Sequence, residues 1–411
     1  MRLQLRHVGG LALALVAASD PALAQPEPYA AAAAPAPEAP AAQPAPAVRS
    51  NLTGHAGLEY GQYADTDHVF VETPSVTATV SNPTAGWSLG GQYLVDVVSA
   101  ASVDIVATAS RRWTEVRHEG EVQAAYKPKT FGAQATASVS DEPDYLSLAA
   151  GGAVTQDLFA KAFTWQLGYG YARDVAGRTG TPFSVFSRTI DRHALNAALT
   201  FVLGPTTLAS LVGDAVFEGG DSSKPYRYVP LFAPGTSVPR GASIDLVNAR
   251  RVSARPLEQL PLSRQRYALT ARLARRYHLA TLRVDERLYA DSWSMKATTT
   301  DARLLFDVGT RVEIGPHARL HAQSAVDFWQ LAYTVSPGFS VPALRTGDRE
   351  LGPLVNATGG ITLRIGLGSD ASPRSWTLGF DVNVTTTQYL DDLYVTDRLS
   401  TVGSTVLEAD L

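Results

Sequence analysis

Between Ser375 and Gln388 the chain reads S-W-T-L-G-F-D-V-N-V-T-T-T-Q. Trp376, Leu378, Phe380, Val382 and Val384 alternate with Thr377, Gly379, Asp381, Asn383 and Thr385. Successive strand side chains point to opposite faces, so the segment predicts a strand with one apolar and one polar face. Its apolar face spans about ten residues, the length a tilted strand needs to cross the hydrocarbon core of a bilayer.

The same alternation recurs from Asn51 onward. It predicts strands over Thr53–Gln62, Val69–Val80, Trp87–Val97, Trp113–Tyr126, Phe131–Ser140, Tyr145–Thr155, Ala162–Tyr171 and Arg192–Leu203. Further strands are predicted over Thr206–Phe217, Arg264–Leu273, His278–Ala290, Lys296–Val308, Ala318–Ala332, Leu354–Leu367, Trp376–Gln388 and Leu399–Leu411. That is about sixteen membrane-crossing segments, in a range of roughly 14–18. Every second connection is short: Asn82-Pro83-Thr84, Lys127-Pro128-Lys129, Leu203-Gly204-Pro205, Arg275-Arg276-Tyr277 and Gly368 to Pro373. The intervening ones include the long stretches Asp96 to Arg112, Arg173 to Ile190, Glu218 to Ser263 and Tyr333 to Glu350. A soluble sandwich has no reason to sort its loops in this way. The pattern predicts an all-β fold: a single antiparallel transmembrane β-barrel over residues 51–411, with short periplasmic turns and long extracellular loops.

Composition agrees with this. A mean hydropathy of -0.04 is too polar for a helical membrane protein and fits a barrel whose apolar positions alternate with polar ones. The 35 basic and 39 acidic residues nearly balance, which gives no case for nucleic acid. The chain has no cysteine, which excludes thiol chemistry, disulfides and thiolate metal sites. At the N-terminus, Arg2, Arg6 and His7 precede the apolar run Leu11 to Ala17 and the Ala22-Leu23-Ala24 site before Gln25. Residues 1–24 therefore read as a cleaved secretory signal. Residues 25–50, almost wholly Ala and Pro, read as a disordered periplasmic leader. With export and a barrel together, the expected location is the bacterial outer membrane, with membrane lipids as the first partner.

Alternation also assigns an inner face. It places Glu115, Arg117, Glu119, Glu121, Asp214, Arg272, Arg283, Asp285, Arg287, Arg303, Asp307, His321, Asp327, Arg364 and Asp381 toward the lumen. Both signs are present. They form either a charge network that hydrates and partly plugs the lumen or pore walls that screen solutes. Glu286 falls on the lipid face with Leu282, Val284 and Leu288, which predicts a bulge or an interfacial position. Trp87, Tyr93, Trp113, Tyr126, Tyr169, Tyr171, Tyr289, Trp293, Trp376 and Tyr389 lie near strand ends, as in interfacial girdles or cross-strand aromatic pairs. The longest loop carries Tyr226, Arg227 and Tyr228 and later Arg250 and Arg251, a set suited to a constriction or to docking. An inward fold of that loop supports constriction; an outward fold supports docking.

No G-x-S-x-G, H-E-x-x-H, phosphate loop or dinucleotide fingerprint occurs, so no enzyme, cofactor or metal is expected. Asp141, Glu142 and Asp144, and Asp391, Asp392 and Asp397, are acidic clusters without calcium-loop spacing and read as solvated loop charge. Of the histidines, His118 faces outward and His193 and His321 lack an evident partner in the sequence.

Five short stretches carry a resemblance. They are Gly91 to Ser102, Pro225-Tyr226-Arg227, Pro261-Leu262-Ser263-Arg264-Gln265, Leu288-Tyr289-Ala290-Asp291-Ser292-Trp293 and Thr346 to Gly352. In these the chain resembles the DUF3570 family of uncharacterised bacterial outer-membrane β-barrel proteins. The resemblance implies a barrel of unassigned activity and supplies no catalytic residues. Family members tend to be encoded beside flavin-transferase and small lipoprotein genes, which implies a lipoprotein or redox partner. The terminal Leu411 stands where outer-membrane insertion signals usually carry an aromatic. Two functions follow as expectations: a channel or transport component with a hydrated, mixed-charge lumen, or a structural barrel whose loops dock a lipoprotein or redox partner in a surface flavin- or metal-linked system; a barrel-embedded enzyme is the least favoured reading.

Overall fold

The computed structural model describes residues 52–100, 113–335, 340–368 and 375–411. The expected signal peptide and leader lie outside them.

Sixteen strands close into one antiparallel barrel. In chain order the first nine are β1 (Thr53–Asp65), β2 (Val69–Asn82), β3 (Trp87–Ala100), β4 (Trp113–Tyr126), β5 (Phe131–Glu142), β6 (Tyr145–Leu158), β7 (Phe163–Ala176), β8 (Arg188–Gly204) and β9 (Thr207–Gly220). The rest are β11 (Ser263–Arg276), β12 (Ala280–Asp291), β13 (Lys296–Val308), β14 (Val312–Gln323), β16 (Leu354–Leu367), β17 (Ser375–Tyr389) and β18 (Asp397–Asp410). Each pairs with its neighbour in order, and β1 closes on β18, with His55 opposite Asp410. Closure leaves no free sheet edge, because every wall strand has a hydrogen-bonded neighbour on each side. A two-residue parallel pair, β10 (Leu231–Phe232) and β15 (Tyr333–Thr334), and the short helix α1 (Ile244–Arg250) lie in the long loops. Among the described residues no helix is long and apolar enough to cross a membrane.

The wall obeys the alternation read from the sequence. Outward side chains such as Leu58, Leu89, Val122, Leu148, Leu167, Leu195, Leu269, Leu288, Leu320, Ile361 and Val382 are exposed around the circumference. Trp87, Tyr126 and Trp376 stand on this face at one end, and Tyr60, Tyr93, Tyr169 and Tyr267 toward the other. An apolar belt between aromatic rows on a closed barrel is the build of a bacterial outer-membrane protein. The strands, 12 to 17 residues long, exceed the belt and carry the loops clear of it.

Several expectations give way. The strand expected at Ala318–Ala332 is instead β14, Val312–Gln323. Pro316 sits within it, and the β13–β14 pairing skips Leu304 and Leu305 opposite Gly315 and Pro316, because proline has no N–H to give the ladder. The apparent continuation to Ala332 is drawn into the cap described below, where Val326 is buried and Phe328 and Trp329 pack around it. Asp327 goes with it and is exposed in that loop, outside the lumen. Glu286 sits in neither a bulge nor an end position. β12 keeps one register with β11 and β13 throughout, and Glu286 is mid-strand, opposite Ala271 and Thr300.

The largest buried apolar clusters are not in the barrel wall but above it. Phe232, Val238, Ala242, Val247 and Leu393 form one; Leu260, Trp293, Met295, Val326 and Leu351 form another. These clusters bind the loop segments 221–262, 292–295, 324–335, 340–353 and 390–396 into one extracellular cap. Gly220 lets β9 enter it: its φ of 125° suits glycine, and a Cβ there would lie 2.0 Å from the Thr189 carbonyl oxygen.

Candidate functional site

The cap is inserted into the mouth of the barrel. Its contacts are with inward-facing side chains at the strand tops. Gln323 Nε2 donates to the carbonyls of Glu350 and Gly352, each at 2.9 Å. Tyr389 OH donates to Glu350 Oε1 at 2.9 Å, and Arg398 reaches the same oxygen at 3.3 Å. Tyr289 packs against the Leu260–Trp293 cluster. Tyr289, Trp293 and Tyr389 therefore leave the expected girdle: Tyr289 and Tyr389 are on the inner parity of their strands, and Trp293 is buried in the cap. The side chain of Trp113 lies outside what the structure describes.

The cap also spans the mouth. Tyr226 OH donates to Asp144 Oδ2 at 2.8 Å beside β6, and accepts from the Thr179 N–H at 2.5 Å. Arg349 Nη1 lies 2.7 Å from Asp67 Oδ2 in the β1–β2 connection. Leu393, between β17 and β18, packs on Phe232 and Val247. Anchors on such widely separated strands require the loops to cross the opening.

One buried network joins the two longest loops. Arg227 Nη1 lies 3.1 Å from Glu258 Oε1 and 2.7 Å from Asp348 Oδ2. Thr346 Oγ1 donates to Glu258 Oε1 at 2.5 Å, and the Lys224 N–H to Oε2 at 2.9 Å. Burial alone would raise the Asp348 carboxyl, but Arg227 outweighs it and holds the group below the usual carboxylate range. Burial, seconded by Arg227, pushes the Lys224 amine down to about 8. Burial alone would lower the Arg227 guanidinium, and the two carboxylates more than reverse that.

The other loop residues take lesser parts. Tyr228 is exposed on the cap, with the Arg255 guanidinium 5.5 Å from its ring centre. Arg250 donates to the Ser237 carbonyl, and Arg251 to the Val252 carbonyl and to Asn248 Oδ1, at 3.1 and 2.8 Å. These two arginines secure the α1 turn and do not join Arg227. Glu258, the most buried charge of the network, drew no attention in the sequence, because its partners are 31 and 88 residues away.

Below the cap the lumen is lined by charge, and its signs are sorted. Strand register places Glu59, Asp65, Asp96, Glu115, Glu119 and Glu121 inward on β1–β4, with Arg117 the only Lys or Arg among those inward positions. Arg117 is shared between Asp96 and Glu119, the latter at 3.0 Å. Inward positions on β11–β14 hold Arg264, Arg266, Arg272, Arg276, Arg283, Arg287, Arg303 and Arg319, which outnumber the carboxylates Asp285, Asp291, Asp301, Asp307 and Glu313. In the closed order, β3 and β12 are eight strands apart in both directions. The acidic and arginine-rich walls thus face each other across a diameter. Arg364 and Asp381 lie inward on β16 and β17, and Thr362 Oγ1 donates to Asp381 Oδ2 at 2.5 Å. A cavity of about 240 Å³ follows the acidic wall, lined by Glu59, Tyr63, Thr73, Leu94, Asp96 and Val402 among others.

Among the described residues, the histidines make contacts other than a hydroxyl–imidazole–carboxylate chain. His55 Nδ1 and Ser375 Oγ both meet Asp410, at 2.9 and 2.6 Å, so the imidazole does not stand between hydroxyl and carboxylate as a triad requires. His317 bridges Asp301 and Asn383 at 2.9 and 2.7 Å, a reach that Gly360 between them permits. His118 and His193 each meet a tyrosine on the outer face, Tyr93 and Tyr169, at 2.8 Å, and His321 meets Thr299 at 2.7 Å. Oxygens of Glu115, Glu142 and Asp144 lie within 4.8 Å of one another where the β4, β5 and β6 ends meet, and Asp144 serves as the Tyr226 anchor.

Four of the five stretches that carry the family resemblance meet at this cap, and the fifth, from Gly91, lies along β3 in the wall. Pro225-Tyr226-Arg227 meets Thr346 to Gly352 through Arg227 and Asp348. Pro261 to Gln265 meets Leu288 to Trp293 through Arg264 and Asp291 and through Trp293 Nε1, which donates to the Ser263 carbonyl at 2.8 Å. A model of the family described as "Protein of unknown function (DUF3570)" matches residues 110–381. The chain belongs to DUF3570. No curated protein matches this DUF3570 chain. Among solved structures it is similar to a bacterial polysaccharide outer membrane secretin, at 10% identity over 85% of this chain and 97% of that one, TM-score 0.43. It is also similar to OccK5 (OpdH) of Pseudomonas aeruginosa, at 8% identity over 88% and 98% of the two chains, TM-score 0.40. A third similarity is to the P. putida toluene transporter TodX, at 10% identity over 88% and 90%, TM-score 0.36.

Proposed function

We propose that this DUF3570 barrel is an outer-membrane channel for small charged solutes, with a polarised lumen and a mouth narrowed by its own loops. The observation that carries the reading is the placement of acidic and arginine-rich walls on opposite sides of one lumen. Sixteen strands enclose more space than side chains fill, so those walls face water. Opposed fixed charges orient a dipolar solute and sort ions by sign, which a purely structural barrel has no use for. The inward fold of the longest loop supports constriction rather than docking. Its buried charges Arg227 and Glu258 are spent on cap-internal contacts, which favours a mouth shaped by a fixed plug over a free recognition loop.

Reconstitution in planar bilayers tests this. Stepwise current at moderate voltage is expected, with permeability depending on ion sign. Absence of current at every voltage, from protein shown to be folded, would sink the channel reading and leave the barrel intact.

A further inference from the structure

We infer that the arginine-rich wall contains an anion site centred on Arg283 and Arg303, suited to a solute bearing carboxylate or phosphate oxygens. The inference deepens the channel reading and rests on it for access to the lumen.

The wall's rows can be followed from the strand register. One inward row runs Arg272, Asp285, Asp301, Arg319 across β11 to β14. The row beneath runs Ala274, Arg283, Arg303, His317. Arg283 and Arg303 are therefore direct cross-strand neighbours, a placement in which like charges repel and destabilise the pair. Four arginines here face two aspartates, Asp285 and Asp301. Arg272 Nε is 3.4 Å from Asp285 and Arg303 Nε is 3.6 Å from Asp301, longer than the roughly 2.7–2.9 Å of a committed charge-assisted hydrogen bond. Asp301 is further engaged by His317 Nε2 at 2.9 Å. Among the described residues, Arg283 and Arg319 form no ion pair, and Arg283 Nε is buried without a hydrogen-bond acceptor.

Two other arginines of the same lumen each stand close to a carboxylate. Arg287 is 2.9 Å from Asp214, and Arg266 is 2.8 Å from Glu218. Under-neutralised guanidinia grouped on two adjacent rows thus distinguish this patch. The planar guanidinium fork matches the paired oxygens of a carboxylate or phosphate, and two such forks side by side match a solute with two anionic oxygens pairs better than a lone halide. The acidic wall across the lumen repels the same solute toward this side.

The test is calorimetric titration of the full chain in nonionic detergent, at low salt and neutral pH, with succinate and with inorganic phosphate as probes. Saturable binding is expected, weakened about ten-fold or more by Arg283→Gln and by Arg303→Gln, and unchanged by Arg250→Gln on the cap. Binding of both probes, or of either alone, supports the site and names the oxyanion it prefers. Heat-dependent gel mobility shows that each variant is folded. No saturable binding of either probe, or equal affinity in wild type, R283Q and R303Q, overturns the inference. The channel reading fails separately: binding without current would remove the channel and keep the site, while current without binding would do the reverse.

Discussion

Arg227 Nη1 stands 2.7 Å from Asp348 Oδ2, joining two extracellular loops across 121 residues of chain. The same nitrogen reaches Glu258, whose side chain is fully buried. The cap's hold on the mouth is therefore tied to one guanidinium with two acids around it.

Replacing Arg227 by Met leaves Glu258 and Asp348 without their cation. Breaking a buried pair from one side costs roughly 3–5 kcal/mol. The cost falls on loop packing, because the barrel wall keeps its own hydrogen bonds. Limited proteolysis is expected to cut R227M between residues 221 and 262 under conditions that spare wild type, with the barrel core resistant in both. Equal resistance of R227M and wild type in this loop would show that the network does not hold the cap.

The cap also has a pH dependence on each side of neutrality. Asp348 is depressed below its ordinary value, so its contribution is present above the unfolded value of 3.8 and is lost as pH falls through the lower folded value. Lys224 is displaced downward from 10.5, so its protonated form is disfavoured in the cap. That penalty applies below about 8 and is relieved as pH rises from there toward 10.5. The cap is accordingly expected to be tightest in mildly alkaline solution. Competitive acetylation should give a midpoint near 8 for Lys224. A midpoint near the free lysine value of 10.5 would contradict the buried setting of Lys224.

Glu286 presents a carboxylate to the lipid side of the wall, held by Thr298 Oγ1 and Thr300 Oγ1 at 2.6 and 2.5 Å. The threonines offset part of its desolvation, but a leucine there would continue the face of Val284 and Leu288. Glu286→Leu is expected to stabilise the folded barrel in lipid by about 1–2 kcal/mol, below the cost of a midplane arginine. Urea unfolding in vesicles measures this; a destabilised variant would mean that the carboxylate contacts something other than lipid.

Much of this architecture was legible as alternation. Each of the sixteen wall strands overlaps a segment read from period-two patterning, and Ser375–Gln388 coincides with β17. Parity says which side chains share a face; it does not say where a strand leaves the wall. Nearness to strand ends suggests a girdle for Tyr289 and Tyr389, whereas parity puts both inside, under the cap. Asp327 continued an apparent alternation that the chain abandons after Gln323. The cap network was out of reach, because Arg227, Glu258 and Asp348 meet only through the folded loops. The sorting of lumen charge lay in between. Its members could be read one by one, but their separation onto opposite walls depends on the closed strand order.

A polarised lumen makes its most direct prediction in the reversal potential of the reconstituted barrel under a potassium chloride gradient at about 0.1 M, where the Debye length is about 10 Å. Neutralising Glu119 and Glu121 on the acidic wall should shift it toward anion selectivity. Neutralising Arg283 and Arg303 on the opposite wall should shift it toward cation selectivity. Opposite shifts of the two double variants are the predicted result; no current, or shifts of the same sign, would contradict a lumen whose facing walls carry opposite charge.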